Sequence, residues 1–170
     1  MSQPAPGAPG LTPAGPSASA TEAVQIVLPG DANSLGTVFG GRVMHWVDQV
    51  AAIAAQRHCR SNVVTAAIDA LQFKAPVQVG EYAVLHAIVN RAWTTSMEVE
   101  VTVDAEHPLT GERRRSSEAF LTFVAIDATG HPTAVRPVAP ATPEEWRRYE
   151  AADARRAARL AIRRLGADRT

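Results

Sequence analysis

The apolar residues between positions 39 and 59 recur with the period of an α-helix. Five of them follow one another at steps of four, four, three and four residues: Phe39, Val43, Val47, Val50 and Ala54. Such spacing places them on one stripe of a helix. Thr37 is a suitable N-cap, and the first-turn amides from Val38 to Gly41 would have no partner within the helix. We therefore predict a long helix over residues 39–59.

Five other segments have the composition of β-strands. They lie at residues 23–28, 62–73, 81–91, 96–106 and 115–126, and turn residues separate them. In the segment 96–106, valines alternate with charged and polar residues, which indicates an antiparallel strand with one buried face. The apolar run 119–126 is nearly continuous, which indicates a central strand with both faces covered. We predict an α+β domain in which the sheet wraps the single helix.

Two regions flank this domain. Residues 1–20 are mostly Pro, Ala, Gly and Ser without any charge, so they bury too little surface to offset the entropy of ordering, and we expect a disordered tail. Thr142-Pro143-Glu144-Glu145 combines an N-cap, a proline at the first helical position and a capping-box glutamate, which predicts a second helix over residues 143–165. The expected organisation is a tail at 1–20, a domain at 21–138 and a helical extension at 139–170.

Charge and cysteine content narrow the classes of function. Seventeen Lys and Arg balance seventeen Asp and Glu, which leaves no net field to hold nucleic acid and favours self-association. The arginines of the second helix are interspersed with acids, which favours a solvated or subunit-packing helix. Cys59 is the single cysteine, the histidines lack metal-ligand spacing, and neither a signal peptide nor a membrane span is evident. We expect a cytoplasmic protein without a metal or other cofactor.

The start of the long helix breaks a local rule. Gly40 and Gly41 stand in the first helical turn, where each glycine costs about 1 kcal/mol relative to alanine. Glycine lets a ligand approach the backbone, and the free amides and dipole of that turn attract developing negative charge, as an oxyanion hole requires. The alternative is that the glycines let a strand or a partner's loop pack tightly.

Two polar residues near this turn are candidates for chemistry. Asp48 falls at the edge of the apolar stripe, where a partly desolvated carboxylate becomes a better base and needs a partner or a task. A boundary aspartate bound to a neighbouring backbone amide is the alternative. Asn33 could hold a water or polarise a carbonyl, although Asp-Ala-Asn after Pro-Gly is equally ordinary turn chemistry.

Other hydrolytic arrangements are disfavoured. The sequence has no Gly-x-Ser-x-Gly elbow, so a serine hydrolase would lack its nucleophile turn. His58 and Cys59 are adjacent in the predicted helix and would point about 100° apart, which excludes a Cys-His pair there.

Several motifs resemble those of the hotdog-fold acyl-CoA thioesterases. The resemblance covers residues 23–137, in order and spacing, and its main motifs are Gly30-Asp31-Ala32-Asn33, Gly36-Thr37-Val38-Phe39-Gly40-Gly41, Trp46-Val47-Asp48, Thr95-Ser96-Met97-Glu98-Val99 and Phe123-Val124-Ala125. It implies a five-stranded antiparallel sheet around the long helix. It also implies a homodimer with a continuous sheet, and trimers of such dimers are common in the family.

The resemblance further implies catalytic roles. By analogy, Asp48 is the catalytic carboxylate, which activates a water or attacks directly to give an anhydride. Asn33 would lie across the dimer interface from the partner's Asp48. Gly41 would supply an amide to the thioester oxygen, and Gly40 would shape the turn.

Binding of acyl-CoA would involve a separate set of residues. The candidates for the CoA phosphates are Arg57, Arg60 and Arg91, and the positions that match the family near the pantetheine or nucleotide are Thr65, Ser96 and Met97. Arg57 and Arg60 are equally well explained as surface cations at a helix end. The sequence departs from the family pattern at residues 93–95 and at Gln49, which leaves the nucleotide contacts open. The expected function is hydrolysis of fatty acyl-CoA, and the alternative is an acyl-CoA-binding protein without catalysis.

Overall fold

In the computed structural model, which describes residues 10–167, one antiparallel sheet carries two long helices. The strands follow the order β1-β3-β4-β5-β2 across the sheet. The elements in chain order are β1 Thr21–Ile26, α1 Gly40–Cys59, β2 Asn62–Phe73, β3 Tyr82–Ala92, β4 Ser96–Glu106, β5 Arg113–Ile126 and α2 Pro143–Ala167. The predicted α+β class, its five strands and both helices are confirmed, and each predicted bound lies within two residues of the observed one.

Helix α1 packs its apolar stripe against one face of the sheet and contacts all five strands. Val43, Val47 and Val50 on the helix are buried, and so are Val99 and Val101 on β4. Burying a side chain of this size contributes roughly 1.5–3 kcal/mol relative to leaving it in water, so this layer is the main stabilising contact of the domain.

Two details of the helix prediction are wrong. Phe39, the first residue of the predicted stripe, precedes the helix as its N-cap and is exposed. Thr37 is therefore not the N-cap, and its hydroxyl contacts the side chain of Asn33 instead. The helix begins without a side-chain cap, which leaves its first amides free for other acceptors.

The middle strand of the sheet is β4, whereas the apolar run predicted as central belongs to β5. Strand β5 lies between β4 and β2, so both of its edges are paired. The guanidinium of Arg155 covers the Phe120 ring of this strand at 3.8 Å. The continuous apolar run therefore belongs to a strand that is covered on both faces but lies next to the middle strand of the sheet.

Strand β2 forms an edge of the sheet with twelve residues. Among residues 10–167 it pairs only with β5, and its register shifts after Thr65 and again after Ile68. Val64, Ile68 and Phe73 on this strand are exposed large hydrophobic residues. A long apolar edge with unpaired backbone groups is a template for pairing with another chain.

The chain before β1 is partly ordered, so the prediction of a disordered tail is wrong for residues 14–20. Ala14 bridges to Val138, and a short 3-10 helix spans Pro16–Ser19. The buried Ser19 hydroxyl donates to the Pro16 carbonyl at 2.7 Å and accepts a 2.9 Å bond from the Val89 amide. These tertiary contacts order residues 14–20, and composition alone could not indicate them. Residues 1–9 of the predicted tail lie outside the described residues.

Helix α2 begins with the predicted capping box. The Glu145 amide donates to the Thr142 hydroxyl at 3.2 Å, and the Glu145 carboxylate accepts from the Thr142 amide at 3.0 Å. Two ion pairs attach the helix to the sheet. Arg155 lies 2.7 Å from the carboxylate of the buried Glu98, and Arg159 pairs with Asp69. Its arginines therefore serve in part to hold it on the domain. Within residues 10–167, no helix has both the length and the apolar character to cross a membrane.

Candidate active site

Asp48 lies half-buried on α1, and its partner is a side-chain hydroxyl. The Oγ1 atom of Thr65 on β2 donates a hydrogen bond of 2.7 Å to its Oδ1 atom. The alternative of an aspartate bound to a backbone amide is not what the described residues show. An ionised carboxylate has acceptor capacity on both oxygens, so Oδ2 is left to bind a water.

Thr65 was predicted as a residue near the pantetheine or the nucleotide, and sequence reasoning missed its contact with Asp48. The two residues lie 17 positions apart on different elements. The signal available in the sequence was that each is a polar residue in a largely apolar segment. Only the packing of α1 on β2 brings them together.

Asn33 is held in a local turn. Its Oδ1 atom accepts from the Leu35 amide at 2.9 Å and from the Thr37 amide at 3.3 Å, and its Nδ2 atom donates to the Thr37 hydroxyl at 3.0 Å. These bonds fix the orientation of the amide. Since Nδ2 carries two hydrogens, one is left to donate to a ligand or to another subunit.

The glycines at the start of α1 differ in their surroundings. A Cβ atom added to Gly40 would lie 3.2 Å from Cζ of Phe73, whereas one added to Gly41 would meet nothing within 4 Å. The packing explanation therefore fits Gly40, and it does not fit Gly41 within this chain. Among residues 10–167, neither the Gly40 amide nor the Gly41 amide has an acceptor. The first amides of α1 that are bonded belong to Arg42 and Val43, and both donate to the Phe39 carbonyl.

Two of the predicted CoA contacts are contradicted by burial. Arg91 is buried, its guanidinium forms a 2.7 Å ion pair with Asp153, and it lies 4.0 Å from the centre of the Tyr149 ring. Met97 is fully buried in the core beneath α1. Arg91 therefore anchors α2, and Met97 fills the core. Both side chains point into packed layers, and the sequence period alone does not distinguish such a position from a ligand site.

The other predicted contacts lie at the surface. Arg57 donates to the Ala20 carbonyl at 2.7 Å and so holds the chain before β1. Arg60 is exposed and ends α1 in the left-handed conformation, with φ of 56°. Ser96 is half-buried and lines a cavity together with Arg156 and Arg159 of α2. The roles of Arg57, Arg60 and Ser96 in binding acyl-CoA stay predictions.

An apolar cavity of about 370 Å³ lies beside the start of α1. Gly40 and Phe73 form part of its wall. Sequence reasoning assigned no role to Phe73, because the residues that line the cavity come from separate parts of the chain: the start of α1 and the residue Val38 before it, the end of β2 with the segment after it, and Ser116 on β5. In residues 10–167, no three His, Cys, Asp or Glu side chains cluster as metal ligands would.

The comparisons with known proteins agree with this fold. Residues 35–112 match the thioesterase superfamily. The uncharacterised acyl-CoA thioester hydrolase YkhA of Bacillus subtilis is 44% identical over 119 residues, which cover 70% of this chain and 69% of that protein. Several longer mammalian thioesterases also match, and the chain spans between 24% and 35% of their length.

Solved structures share the whole architecture. An apo-hexameric acyl-CoA thioesterase superposes with a TM-score of 0.86 at 43% identity, covering 89% of this chain and 97% of that one. The acyl-CoA hydrolase of Staphylococcus aureus, solved with butyryl-CoA, CoA and CoA disulfide, gives 0.83 at 34% identity, with 91% and 94% covered. Mutants of that enzyme with alanine at one aspartate, one threonine or one asparagine have also been solved.

The fold and the site thus define a hotdog-fold thioesterase. Within that class, the chain belongs to the family of acyl-CoA thioester hydrolases.

Proposed function

We propose that the protein hydrolyses fatty acyl-CoA to a free fatty acid and CoA, with Asp48 as the base that activates water. The observation that carries this proposal is the half-buried Asp48 carboxylate, which Thr65 holds through one oxygen while the other is left for water. A base fixed in this way is in hydrogen-bond reach of a water, as general base catalysis requires.

The positions of Asn33, Asp48 and Thr65 support the assignment. In the Staphylococcus aureus hydrolase, the aspartate chosen for substitution follows the asparagine by 15 positions, and the threonine follows the aspartate by 17. The same separations hold between Asn33, Asp48 and Thr65. The residues selected in that enzyme therefore correspond in spacing to the three polar side chains described above.

The site requires a second subunit. Gly41 and Asp48 lie on the same helix seven residues apart, which separates their backbones by roughly 10 Å along the axis. Oxyanion donors and the attacking water must both lie about 3 Å from the reacting group. We propose that Gly41 and Asn33 of one subunit face the partner's Asp48, and that the exposed edge of β2 pairs two subunits into a homodimer. A related thioesterase is hexameric, so a trimer of dimers is the assembly we expect.

The chemistry then balances in two steps. Asp48 takes a proton from water as the oxygen adds to the thioester carbon, and the Gly41 amide stabilises the resulting oxyanion. When the C–S bond breaks, the CoA thiolate takes the proton back and leaves as the thiol, and the acyl group leaves as the acid. Direct attack by Asp48, which would give an anhydride that water then opens, is the less economical alternative.

Thiol release from fatty acyl-CoA tests the proposal. Wild-type protein should release free CoA without added metal, and Asp48→Asn and Asp48→Ala should abolish turnover while leaving the assembly size unchanged in light scattering. Glu112→Gln, at an exposed acid in the turn between β4 and β5, is the control and should keep the wild-type rate. Full activity in the Asp48 variants would remove this residue from the mechanism.

A binding protein without catalysis is the alternative function. Tight binding of acyl-CoA by the wild-type protein with no thiol release would favour it. For localisation we keep the cytoplasm as a proposal, since a rat relative is a cytosolic acyl-CoA thioester hydrolase.

A further inference from the structure

The cavity beside the start of α1 is built to hold an apolar chain. Val38 precedes α1, Val43 lies in its first turn, and Phe73, Ala75 and Val77 come from the end of β2 and the segment after it. Its volume of about 370 Å³ lies within the range of roughly 300–1,000 Å³ that small-molecule sites occupy.

The polar side chains at the cavity wall are already paired. The Ser116 hydroxyl donates to the Ala75 carbonyl at 2.7 Å, and the Lys74 ammonium pairs with Glu118 at 2.7 Å. Apart from the free Gly40 amide at the tip of α1, a ligand that entered would therefore meet satisfied polar side chains and apolar side chains. This surface suits an alkyl chain better than a nucleotide or a sugar, because a polar ligand would lose hydrogen bonds to water without replacement.

The cavity adjoins the free amides at the tip of α1. Gly40 forms part of its wall, and Gly41 is the next residue along the chain. Since Gly40 is a wall residue, a thioester bound at the neighbouring Gly41 amide would lie next to the cavity. The acyl chain, which is attached to the thioester carbon, can then continue inward.

We propose that this cavity receives the acyl chain of the substrate and that Phe73 sets the chain length it accepts. The inference rests on the proposed function, since it assigns a ligand group to the same site. It names the structural determinant of substrate preference within that function.

Phe73 is the wall residue with the freedom to set this length. Val43 and Val77 are buried in the core and are fixed by packing, whereas Phe73 ends the edge strand β2, is 54% exposed within this chain and would lie at the end of the proposed dimer seam. Its ring lies against Gly40, where an added Cβ would be 3.2 Å from Cζ. A side chain larger than hydrogen at position 40 would displace the ring, so the first glycine of the helix and the aromatic wall form one unit.

Two variants should change the cavity in opposite directions. Phe73→Ala removes the wall and should move the preferred substrate to longer acyl chains, whereas Ala75→Leu fills the cavity and should move it to shorter ones. Because each buried methylene is worth about fourfold in kcat/KM, a shift by two methylenes corresponds to roughly fifteenfold in the ratio of long to short substrates. Phe73→Leu keeps an apolar wall, so its preferred chain length should lie between those of the wild type and Phe73→Ala.

The measurement is kcat/KM for saturated acyl-CoA substrates from acetyl to palmitoyl, together with Kd for the same series in the Asp48→Ala background. Leu109→Ala, at the exposed tip of the turn between β4 and β5, is the control and should leave the profile unchanged. Opposite shifts in Phe73→Ala and Ala75→Leu support the inference. A uniform loss across all chain lengths in both variants would overturn it, because a structural role alone produces that result.

The two proposals fail in distinguishable ways. If the wild type binds the series without hydrolysing it, the proposed function fails, and the Kd profiles of the two variants still decide whether the cavity holds the chain. If the wild type hydrolyses with Asp48 required and neither variant shifts either profile, only the acyl-chain assignment fails. Should Phe73→Ala not fold, Phe73→Leu and Ala75→Leu carry the same comparison.

Discussion

The Thr65 hydroxyl donates a hydrogen bond of 2.7 Å to the Asp48 carboxylate, and this bond joins the edge strand β2 to the helix α1. A hydrogen bond to a charged acceptor is worth about 1.5–3 kcal/mol, enough to hold the carboxylate in one orientation. The register of β2 shifts immediately after Thr65, as is common where a bulge aims a side chain at a functional group.

Removal of the Thr65 hydroxyl should slow hydrolysis without unfolding the protein. Thr65→Val keeps the shape of the side chain and should lower kcat by about tenfold or more, because the loss of roughly 1.5 kcal/mol of orientation corresponds to a factor of ten. Thr65→Ser, which restores the donor, should recover most of the rate. Equal rates in the valine and threonine proteins would show that the bond has no catalytic role.

Gly41→Ala should stabilise the fold and still lower the rate of hydrolysis. A methyl group at position 41 meets nothing within 4 Å, and alanine in a helix is favoured over glycine by about 1 kcal/mol. We therefore expect a melting temperature that is unchanged or higher, with lower kcat if substrate must approach this backbone closely. Thermal unfolding tests the expected stability and thiol release tests the expected activity, both on the same preparation. A stable variant with full activity would mean that the backbone at position 41 is not approached by substrate.

A site shared between subunits should show complementation. Asn33→Ala and Asp48→Ala should each be nearly inactive as homo-oligomers. A hybrid dimer of the two variants contains one intact site and one doubly defective site. Co-refolding equal amounts should therefore restore about a quarter of wild-type activity, since about half of the dimers are hybrids with one working site of two. No recovery, despite mixed dimers in native mass spectrometry, would place Asn33 and Asp48 in the same subunit's site.

Substitution of Arg91 should affect stability and leave substrate binding unchanged. Its guanidinium is buried, pairs with Asp153 and stacks on Tyr149. Arg91→Met should lower the free energy of unfolding by about 1–3 kcal/mol, because the anchor of α2 is lost. The KM for acyl-CoA should change less than about twofold, as expected for a group that does not touch ligand. A large rise in KM without a loss of stability would restore its predicted role at the CoA phosphates.

His58 should make folding pH-dependent near neutrality. Burial lowers the pKa of this imidazole from its ordinary value of 6.5, an effect that its hydrogen bond to the Arg136 carbonyl opposes and the Arg136 charge reinforces. Because the pKa is lower in the folded state, the unfolded chain binds the extra proton first. The contribution to stability is complete above pH 6.5 and is lost as the pH falls through the folded-state pKa.

Urea unfolding checks this assignment when it is repeated between about pH 7.5 and pH 5.5. His58→Gln, which can still donate to the Arg136 carbonyl, should remove most of the pH dependence in that window. Glu81 and Glu118 have pKa values lowered by ion pairs with Arg114 and Lys74. Their contributions are lost only at more acidic pH, below their ordinary value of 4.5. An unchanged pH slope in His58→Gln would assign the dependence to other groups.

The correspondence between sequence and structure was best where the physical signal is local. The alternation of β4, the four- and three-residue steps of α1 and the capping box at Thr142 each depend on neighbours a few residues away. These patterns placed the five strands and both α-helices to within two residues, whereas the short 3-10 helices were not predicted. The residues Asp48, Gly40 and Gly41 could be singled out for the same reason, because each conflicts with its own local pattern.

Apart from Thr37 and Phe39 at the start of α1, the errors and omissions concern residues whose partners are distant in the chain. Arg91 pairs with Asp153 on α2, Ser19 bonds to β3, and the Phe73 ring rests on Gly40. No local pattern distinguishes a buried arginine with a distant acid from an exposed one that waits for phosphate. The resemblance to a family supplied positions for contacts, but it did not state which side chains α2 covers.

The sequence by itself determined the order of the elements, the stripe of α1 that enters the core and the anomalous residues at its start, because hydrophobic period, caps and glycine cost are properties of short segments. The tertiary structure decided that Thr65 holds Asp48, that Gly41 is free of packing while Gly40 is not, and that Arg91 belongs to α2. Those outcomes depend on how separate elements pack on one another, and packing at interior density fixes contacts that no segment encodes alone.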